Sequence, residues 1–515
     1  MTQADEIFEQ VLVNAEQMRQ VEEQLFANGM PVSALMEKAA LLMSDRLQEL
    51  YPIDQYKQIG ILVGPGHNGG DALVIARELW LKNYQVLVYY PFEKVKELTA
   101  CHAQYAQFLG IPFTQDLQSL QNCDVLIDGL FGFGLNRPLV GWIGEAIEQI
   151  NQWSQPIVSI DLPSGLHTDT GEVLGIAIKA TRSLCLGLWK LAFFQDQALE
   201  YLGKVEKLDF GIPEAVVKKV ISDASSVKIV TPNLAQRSLP LSRSLLTHKY
   251  QQGHLLLICG SRRYAGGAIL TGLGARASGV GMLSIAVPQS LKPLLVSHLP
   301  EALIIDCPET ETGAIAELPD LAQDFEKYTV IAAGPGLTLE ALPIIEKVLT
   351  APVPLILDAD GLNCLAQLGT VSSLAKRTFS TILTPHLGEF KRLFPEISHP
   401  NRDRLQAVQE AAKCSQAIIL FKGARTVIAN PDGQTWVIPE STPALARGGS
   451  GDVLTGLMGG ILAQNPQDSL EKLVAIAAWW HAQAGILAVK ERTELGVDAW
   501  TLSQYLIPTC QQLLS

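Results

Sequence analysis

Two glycine-rich loops carry most of the chemistry this sequence could do. In the first, Gly64-Pro-Gly66-His67-Asn68-Gly69-Gly70-Asp71 joins an apolar run to an amphipathic one. Glycines there let backbone amides approach a diphosphate at a helix N-terminus. Gly64, Gly66 and Gly69 satisfy the G-x-G-x-x-G spacing, which many unrelated loops share. His67, Asn68 and Asp71 make the loop polar for a plain dinucleotide turn, and no acidic residue closes the following strand as a dehydrogenase requires. A capped helix start, with Asp71 facing the positive end of the dipole, would also account for it. In the second loop, Gly448-Gly449-Ser450-Gly451-Asp452 feeds a helix predicted from Val453. Its amides suit a phosphate. Asp452 could take the proton of a hydroxyl that attacks phosphorus. Lys422 and Arg425, in Lys422-Gly-Ala-Arg425-Thr426, would offset phosphate charge or simply lie solvated on the surface.

Other candidate residues cluster at the ends of apolar runs. Val125–Ile127 leads into Asp128-Gly-Leu-Phe-Gly132-Phe-Gly134, and Pro156–Ile160 into Asp161-Leu-Pro-Ser164. An Asp in such a position is commonly a turn residue. Three strand ends together could gather Asn68, Asp128, Asp161 and Ser164 in one crevice. That oxygen-rich set, poor in carboxylates, suits a hard and plausibly monovalent cation. Further on, Gly334-Pro-Gly336, Asp358-Ala-Asp360-Gly-Leu-Asn363 and Thr384-Pro-His386-Leu-Gly-Glu389 follow apolar runs in the same way. The last opens a helix, with Thr384 as its expected cap and Pro385 in the first turn. His386 by itself reads as a structural histidine as readily as a catalytic one.

The elements that must position these residues follow from periodicity. Residues 14–50 read as helical, broken at Gly29-Met30-Pro31. Short apolar runs at 59–63, 85–90, 125–127, 156–160 and 183–186 then alternate with amphipathic segments, the signature of parallel strands buried between helices. The alternation restarts at 254–259 and continues through 282–287, 330–333, 354–357, 381–383 and 417–421. The stretch 222–253, with several Ser and Pro, reads as a linker. Two α/β domains follow, about 1–225 and 226–515. With 48 % hydrophobic and 18 % charged residues among 515, the chain can fill two cores. A net charge of −13 argues against a nucleic-acid partner. Eight cysteines without a C-x-x-C pair read as reduced thiols of a cytoplasmic protein. The uncharged run 473–489 is short for a membrane span and reads as a buried helix.

The motifs of the first domain resemble a known family. Asn14-Ala-Glu-Gln-Met-Arg-Gln, Leu35-Met-Glu-Lys-Ala, Gly64 to Asp71 and Ile160-Asp-Leu-Pro-Ser-Gly-Leu are similar to the NAD(P)H-hydrate epimerase domain, which has a Rossmann-like, doubly wound fold. The resemblance implies that Asn68, Asp128 and Ser164 hold a potassium ion. It implies substrate contact by His67, Asn68, Gly69, Gly70 and Asp71, by Gly132, Phe133, Gly134, Leu135, Asn136, Arg137 and Pro138, and by Asp161. His67 replaces the family's usual Asn. Asp161 is the expected proton-handling residue, a role worth ~10²–10⁴-fold in rate.

Residues about 248–460 resemble the ADP- or ATP-dependent NAD(P)H-hydrate dehydratase domain, of ribokinase-like fold. The matching pieces are His248-Lys249, Leu257-Ile-Cys-Gly-Ser, Gly266-Gly-Ala268 and the strand-end motifs given above. The resemblance implies that Ala268, Gly336, His386 and Asp452 meet the hydrated nicotinamide nucleotide. Lys422, Gly423, Ala424, Arg425, Thr426 and Gly451 would meet the adenine nucleotide, with magnesium. Thr338 and Arg447 stand where the family has glycine or small residues. The expected activity is bifunctional repair: epimerisation of hydrated NADH and NADPH, then dehydration of the S form through phosphorylation of the ring hydroxyl and loss of phosphate, with ADP favoured over ATP. Asp452 is the expected base. A homo-oligomer without membrane partners is expected. A ribokinase-type kinase, an NAD-dependent dehydrogenase and a first domain that only binds remain the alternatives.

Overall fold

The structure, a computed structural model, describes residues 9–221, 226–398, 400–464 and 469–514. It divides into two compact units, Met1–Ser222 and Asp223–Ser515. The predicted boundary at 225/226 abuts residues 222–225, which lie outside the described residues.

The first unit contains strands β1 (Val11–Val13), β2 (Gln58–Val63), β3 (Gln85–Tyr89), β4 (Phe113–Thr114), β5 (Val125–Gly129), β6 (Ile157–Ile160), β7 (Arg182–Leu186), β8 (Trp189–Lys190) and β9 (Lys204–Leu208). Seven form a parallel sheet in the order β4-β3-β2-β5-β6-β7-β9, and β1 pairs with β8. Every residue of β5 and β6 is buried, as in a sheet covered on both faces. Chain order reverses between β2 and β5, which makes that pair the switch point where a crevice opens at the strands' carboxyl ends. Helices α1 (Ala15–Ala27) and α2 (Val32–Leu50) flank the predicted break, and Asn14 and Gln17 close a capping box on α1.

The next helix, α3 (His67–Leu81), begins inside the glycine-rich loop. Asn68, Gly69, Gly70 and Asp71 lie inside it rather than in a loop. Packing overrides the poor helix propensity of glycine here. A Cβ on Gly69 would lie 2.0 Å from the Gly64 carbonyl oxygen, and one on Gly64 would lie 1.6 Å from that of Leu130. These glycines bring the α3 backbone against the β2 and β5 turns. Helices α4 (Glu97–Phe108) and α5 (Trp142–Ile150) complete the layers used below.

The second unit contains β10 (Val227–Ile229), β11 (His254–Ile258), β12 (Met282–Pro288), β13 (Leu303–Cys307), β14 (Val330–Ala333), β15 (Leu355–Leu357), β16 (Thr381–Leu383), β17 (Ile418–Phe421), β18 (Val427–Ala429) and β19 (Thr435–Val437). Their order is β13-β12-β11-β14-β15-β16-β17-β18-β19-β10. The sheet is parallel through β17, then turns antiparallel through β18 and β19. The predicted linker is ordered in part: β10 joins β19, and Thr231 caps a helix over Pro232–Ser238. Its short elements lack the length that periodicity needs. Order reverses between β11 and β14, a second switch point.

Five helices of this unit matter to the site: α6 (Ala265–Ser278), α7 (Asp360–Leu368), α8 (Leu387–Leu393), α9 (Ser450–Gln464) and α10 (Leu470–Arg492). Helices α6 and α9 cross at backbone distance. A Cβ on Gly274 would lie 2.1 Å from the Val453 oxygen, and one on Gly456 1.8 Å from the Thr271 oxygen. Among the described residues, α10 is the one helix long and apolar enough to cross a membrane, and 78 % of its apolar window is buried in the protein. All eight cysteines are free, with only Cys101 and Cys414 exposed.

Candidate functional site

In the first unit a cavity of about 620 Å³ lies at the switch point. Its wall includes Met18, Glu22 and Phe26 from α1, Met36 from α2, His67, Asn68 and Asp71 from α3, and the run Leu130–Arg137 after β5. Asp161, at the end of β6, and Lys190, in β8, also line it. They form a buried ion pair: Lys190 Nζ lies 2.5 Å from Asp161 Oδ1 and 2.6 Å from the Leu186 carbonyl. The Leu186 amide donates to the same Asp161 oxygen at 3.0 Å. Asp161 adopts φ +63°, a left-handed conformation that costs a non-glycine residue of order 1–3 kcal/mol and is common at functional sites.

The other titratable groups are biased by this enclosure. Burial pushes the Glu22 carboxyl up to about 7, with Lys190 opposing and Asp161 reinforcing the rise. Burial, then Asp161 and Glu22, raise Asp71 well above the usual carboxylate range. Burial and the neighbouring Lys96 lower His67, so its ring is neutral near pH 7. Lys190 and Glu22 escaped sequence reasoning, although each leaves a trace there. Lys190 is a lone charge in Leu188-Trp-Lys-Leu-Ala-Phe-Phe194, and Glu22 follows Met18 by four residues on α1.

Behind the cavity wall, Asp128 is wholly buried and accepts four hydrogen bonds. Its donors are the Ser164 hydroxyl at 2.6 Å, the Ser159 hydroxyl at 2.8 Å, the Ser164 amide at 2.9 Å and the Leu130 amide at 3.2 Å. Ser164 Oγ also accepts from the Phe131 amide at 2.8 Å. The Asn68 amide nitrogen is buried without a hydrogen-bond partner among the described residues.

The second unit gathers its candidates around another Asp–Lys pair. Asp358, buried at the end of β15, accepts from Lys422 Nζ, Thr384 Oγ1 and Thr455 Oγ1, each at 2.8 Å. Burial opposes its charge, but Lys422 and the hydroxyls hold its pKa below the usual value. Thr384 therefore serves Asp358 and is not the helix cap predicted. His386 caps α8 instead, through Nδ1, while Glu389 accepts from the His386 amide at 2.8 Å. The ring of His386 is exposed.

Asp452 stands in the first turn of α9, partly exposed, and its carboxyl is pushed up to about 7 by burial and Asp358, with Lys422 opposing. A Cβ on Gly267, in α6, would lie 3.4 Å from Asp452 Oδ2 and 3.7 Å from Gly336. A Cβ on Gly451 would lie 3.4 Å from Lys422 Nζ, whereas Gly448 faces open space. The close crossing of α6 and α9 brings Gly267 to Asp452, and Gly336 and Lys422 reach the same place from the ends of β14 and β17. Behind the loop, His481 on α10 contacts the Ser450 carbonyl at 2.9 Å, and burial lowers its pKa to about 4.

Residues 255–508 match a family model described as NAD(P)H-hydrate dehydratase, and residues 32–192 one described as YjeF-related protein N-terminus. A bifunctional NAD(P)H-hydrate repair enzyme of Synechocystis sp. is 58 % identical over 98 % of this chain and 95 % of its own. The chain belongs to the bifunctional NAD(P)H-hydrate repair enzyme family. A Thermosynechococcus vestitus member is 51 % identical over 98 % of each chain. Among solved structures, the ADP/ATP-dependent NAD(P)H-hydrate dehydratase from Bacillus subtilis, co-crystallised with ATP/Mg2+, is 34 % identical over 55 % of this chain and 97 % of that one, with a TM-score of 0.45.

Against the family resemblance, the placements differ in kind. His67, Asn68, Asp71, Gly132, Phe133, Gly134, Leu135, Asn136, Arg137 and Asp161 line the first cavity. Gly69 and Gly70 are buried in α3, and Pro138 lies beyond the cavity lining. Ala268 is buried with its methyl toward Gly260, while its neighbour Gly267 approaches Asp452. Gly423 and Ala424 are exposed, and Arg425 and Thr426 half-buried, in the turn after Lys422. Of the second unit's two departures from the family pattern, Thr338 takes φ +72°, a conformation suited to glycine, with its hydroxyl buried. Arg447 donates to the Val497 carbonyl at 2.9 Å, so its guanidinium is tied to the following segment.

Proposed function

We propose that this enzyme repairs hydrated NADH and NADPH in two steps, one in each unit. The first unit interconverts the R and S epimers, and the second dehydrates the S form at the expense of ADP or ATP. The observation that carries the reading is Asp452. It is a half-exposed carboxyl with a pKa of about 7, at a glycine-loop helix start, beside the Asp358–Lys422 pair.

In the second unit, Gly448 to Gly451 and the start of α9 receive the transferring phosphate, and Lys422 lies alongside with its charge. Asp452 takes the proton as the ring hydroxyl attacks phosphorus. Phosphate then leaves in place of hydroxide, which is a far poorer leaving group. Gly336, Ala268 and His386 bound the nicotinamide side, and Lys422 to Thr426 with Gly451 the adenine nucleotide, with magnesium accompanying its phosphates. In the first unit, the cavity residues from His67 to Asp71 and Gly132 to Pro138 hold the hydrated ring and its ribose phosphates, with Asp161 beside it as the proton-handling residue.

Asn68, Asp128 and Ser164 fit a monovalent cation such as potassium. Their donor oxygens bring one formal charge, which suits a monovalent ion. Burial raises the Asp128 carboxyl, and a cation beside it would favour its ionised form. The reading includes a cytoplasmic homo-oligomer, for which the exposed Leu245, Leu246 and Tyr250 are apolar side chains available to cover.

One incubation tests the activity. With hydrated NADH, ADP and magnesium, absorbance of the reduced ring should return for both epimers, and Asp161→Ala should limit recovery to the S form. A phosphorylated product that persists would instead favour a ribokinase-type kinase.

A further inference from the structure

The first cavity contains a carboxyl that the sequence motifs do not account for. Glu22 projects from α1 into the same wall as Asp71, Asp161 and Lys190. Among the described residues, no hydrogen-bond donor or ion-pair partner closes on it. Asp161, by contrast, is held through one oxygen by both Lys190 and the Leu186 amide. Asp71 is raised by burial and by the neighbouring Asp161 and Glu22. The charges that face Glu22 are Lys190 and Asp161 from the strand ends, Asp71 from α3, Arg19 from its own helix and Lys96 from the start of α4.

Resting on the epimerase reading above, we propose that Glu22 is a second catalytic acid–base residue of epimerisation beside Asp161, exchanging a proton with the hydroxyl of the hydrated nicotinamide ring. Water adds to the enamine of a dihydronicotinamide so that the hydroxyl sits on the carbon next to the ring nitrogen. The two epimers differ at that carbon. The Glu22 carboxyl donates its proton to this hydroxyl, the C–O bond breaks, and water departs as the nitrogen lone pair forms a C=N⁺ bond. Water then adds to the opposite face. The new C–O bond forms, the electron pair returns to nitrogen, and the surplus proton returns to the Glu22 carboxylate. One water leaves and one enters, and nothing is oxidised. A carboxyl that titrates at about 7 is suited to give and regain a proton at neutral pH.

The test uses the full-length protein with purified R epimer of hydrated NADH and no nucleotide, following the epimer ratio by chromatography. Glu22→Gln should lower kcat by about 10²-fold or more while KM changes little. The wild-type pH–rate profile should show a limb near 7 that Glu22→Gln lacks. Glu22→Asp, which keeps the carboxyl, should recover at least a tenth of the rate. Three outcomes would overturn the proposal: Glu22→Gln within threefold of wild type, a loss confined to KM, or Glu22→Asp no better than Glu22→Gln. A wild-type protein that fails to interconvert the epimers would instead count against the epimerase reading itself.

Discussion

The two units use one electrostatic device in different surroundings. Each sets a lysine on a buried Asp, Lys190 on Asp161 and the partly exposed Lys422 on Asp358, and each sets beside the pair a second carboxyl pushed up to about 7, Glu22 or Asp452. Burial alone raises a carboxyl, and a lone anion nearby would raise it much further. Pairing that anion with lysine leaves its neighbour a nearly neutral field, and the neighbour comes to rest near physiological pH. The surroundings differ in what they offer the proton. Asp452 opens a helix beside open glycine, where a phosphate can be received. Glu22 faces a cavity walled by Met18, Phe26 and Phe133, with room for a ring, onto which Gly66, Gly132 and Gly134 also open. The same acid–base tuning can therefore serve phosphoryl transfer in one place and rearrangement at a ring carbon in the other.

The largest effect should separate the two sites outright. Asp452→Asn should lower ADP-dependent recovery of the reduced ring by about 10²–10⁴-fold and leave the epimer ratio approaching equilibrium as before. Loss of both activities would break the comparison. Because the base must be ionised, wild-type dehydration should rise about tenfold per pH unit below about 7 and level off above it, which a pH–rate profile measures.

Removing the lysines compares the pairs directly. Lys190→Met and Lys422→Met should each destabilise their unit by about 3–5 kcal/mol in denaturant melts, since each strands a buried carboxylate. The loss should be larger at Lys190. Asp161 then keeps only the Leu186 amide, whereas Asp358 keeps the hydroxyls of Thr384 and Thr455. Equal losses would show that the hydroxyls contribute little.

Glycines give a finer contrast. Gly69→Ala should cost about 1–3 kcal/mol, because the added methyl meets the Gly64 carbonyl. Gly448→Ala should leave the melting curve within about 0.5 kcal/mol but weaken ADP binding, measured by calorimetry. In the opposite direction, Thr338→Gly should stabilise the second unit by about 1 kcal/mol by relieving its positive φ, visible as a small rise in melting midpoint.

The sequence made the long parallel strands legible because both faces are buried, and the ends of β2, β5 and β6 were legible as a polar crevice. The glycine loop before Asp452 stood out through composition. Short elements did not: β10 and the Pro232–Ser238 helix hold too few residues for a period to register. Gly69 and Gly70 disguised the first turn of α3, since helix propensity argues against them and only the contact with Gly64 explains them. Thr384 could equally cap a helix or serve a neighbour, and only the nearness of Asp358 decides. Glu22 and Lys190 lie 168 residues apart, and no local pattern brings them to one wall.

The histidine beneath the Ser450 carbonyl has a consequence for how titration curves of this enzyme are read. With a pKa of about 4, His481 keeps the same charge from mild acid upward, so this anchor of the loop does not change between pH 5 and 9. A single inflection in dehydration across that span would then report a proton moving on and off Asp452, uncomplicated by a scaffold that shifts underneath it.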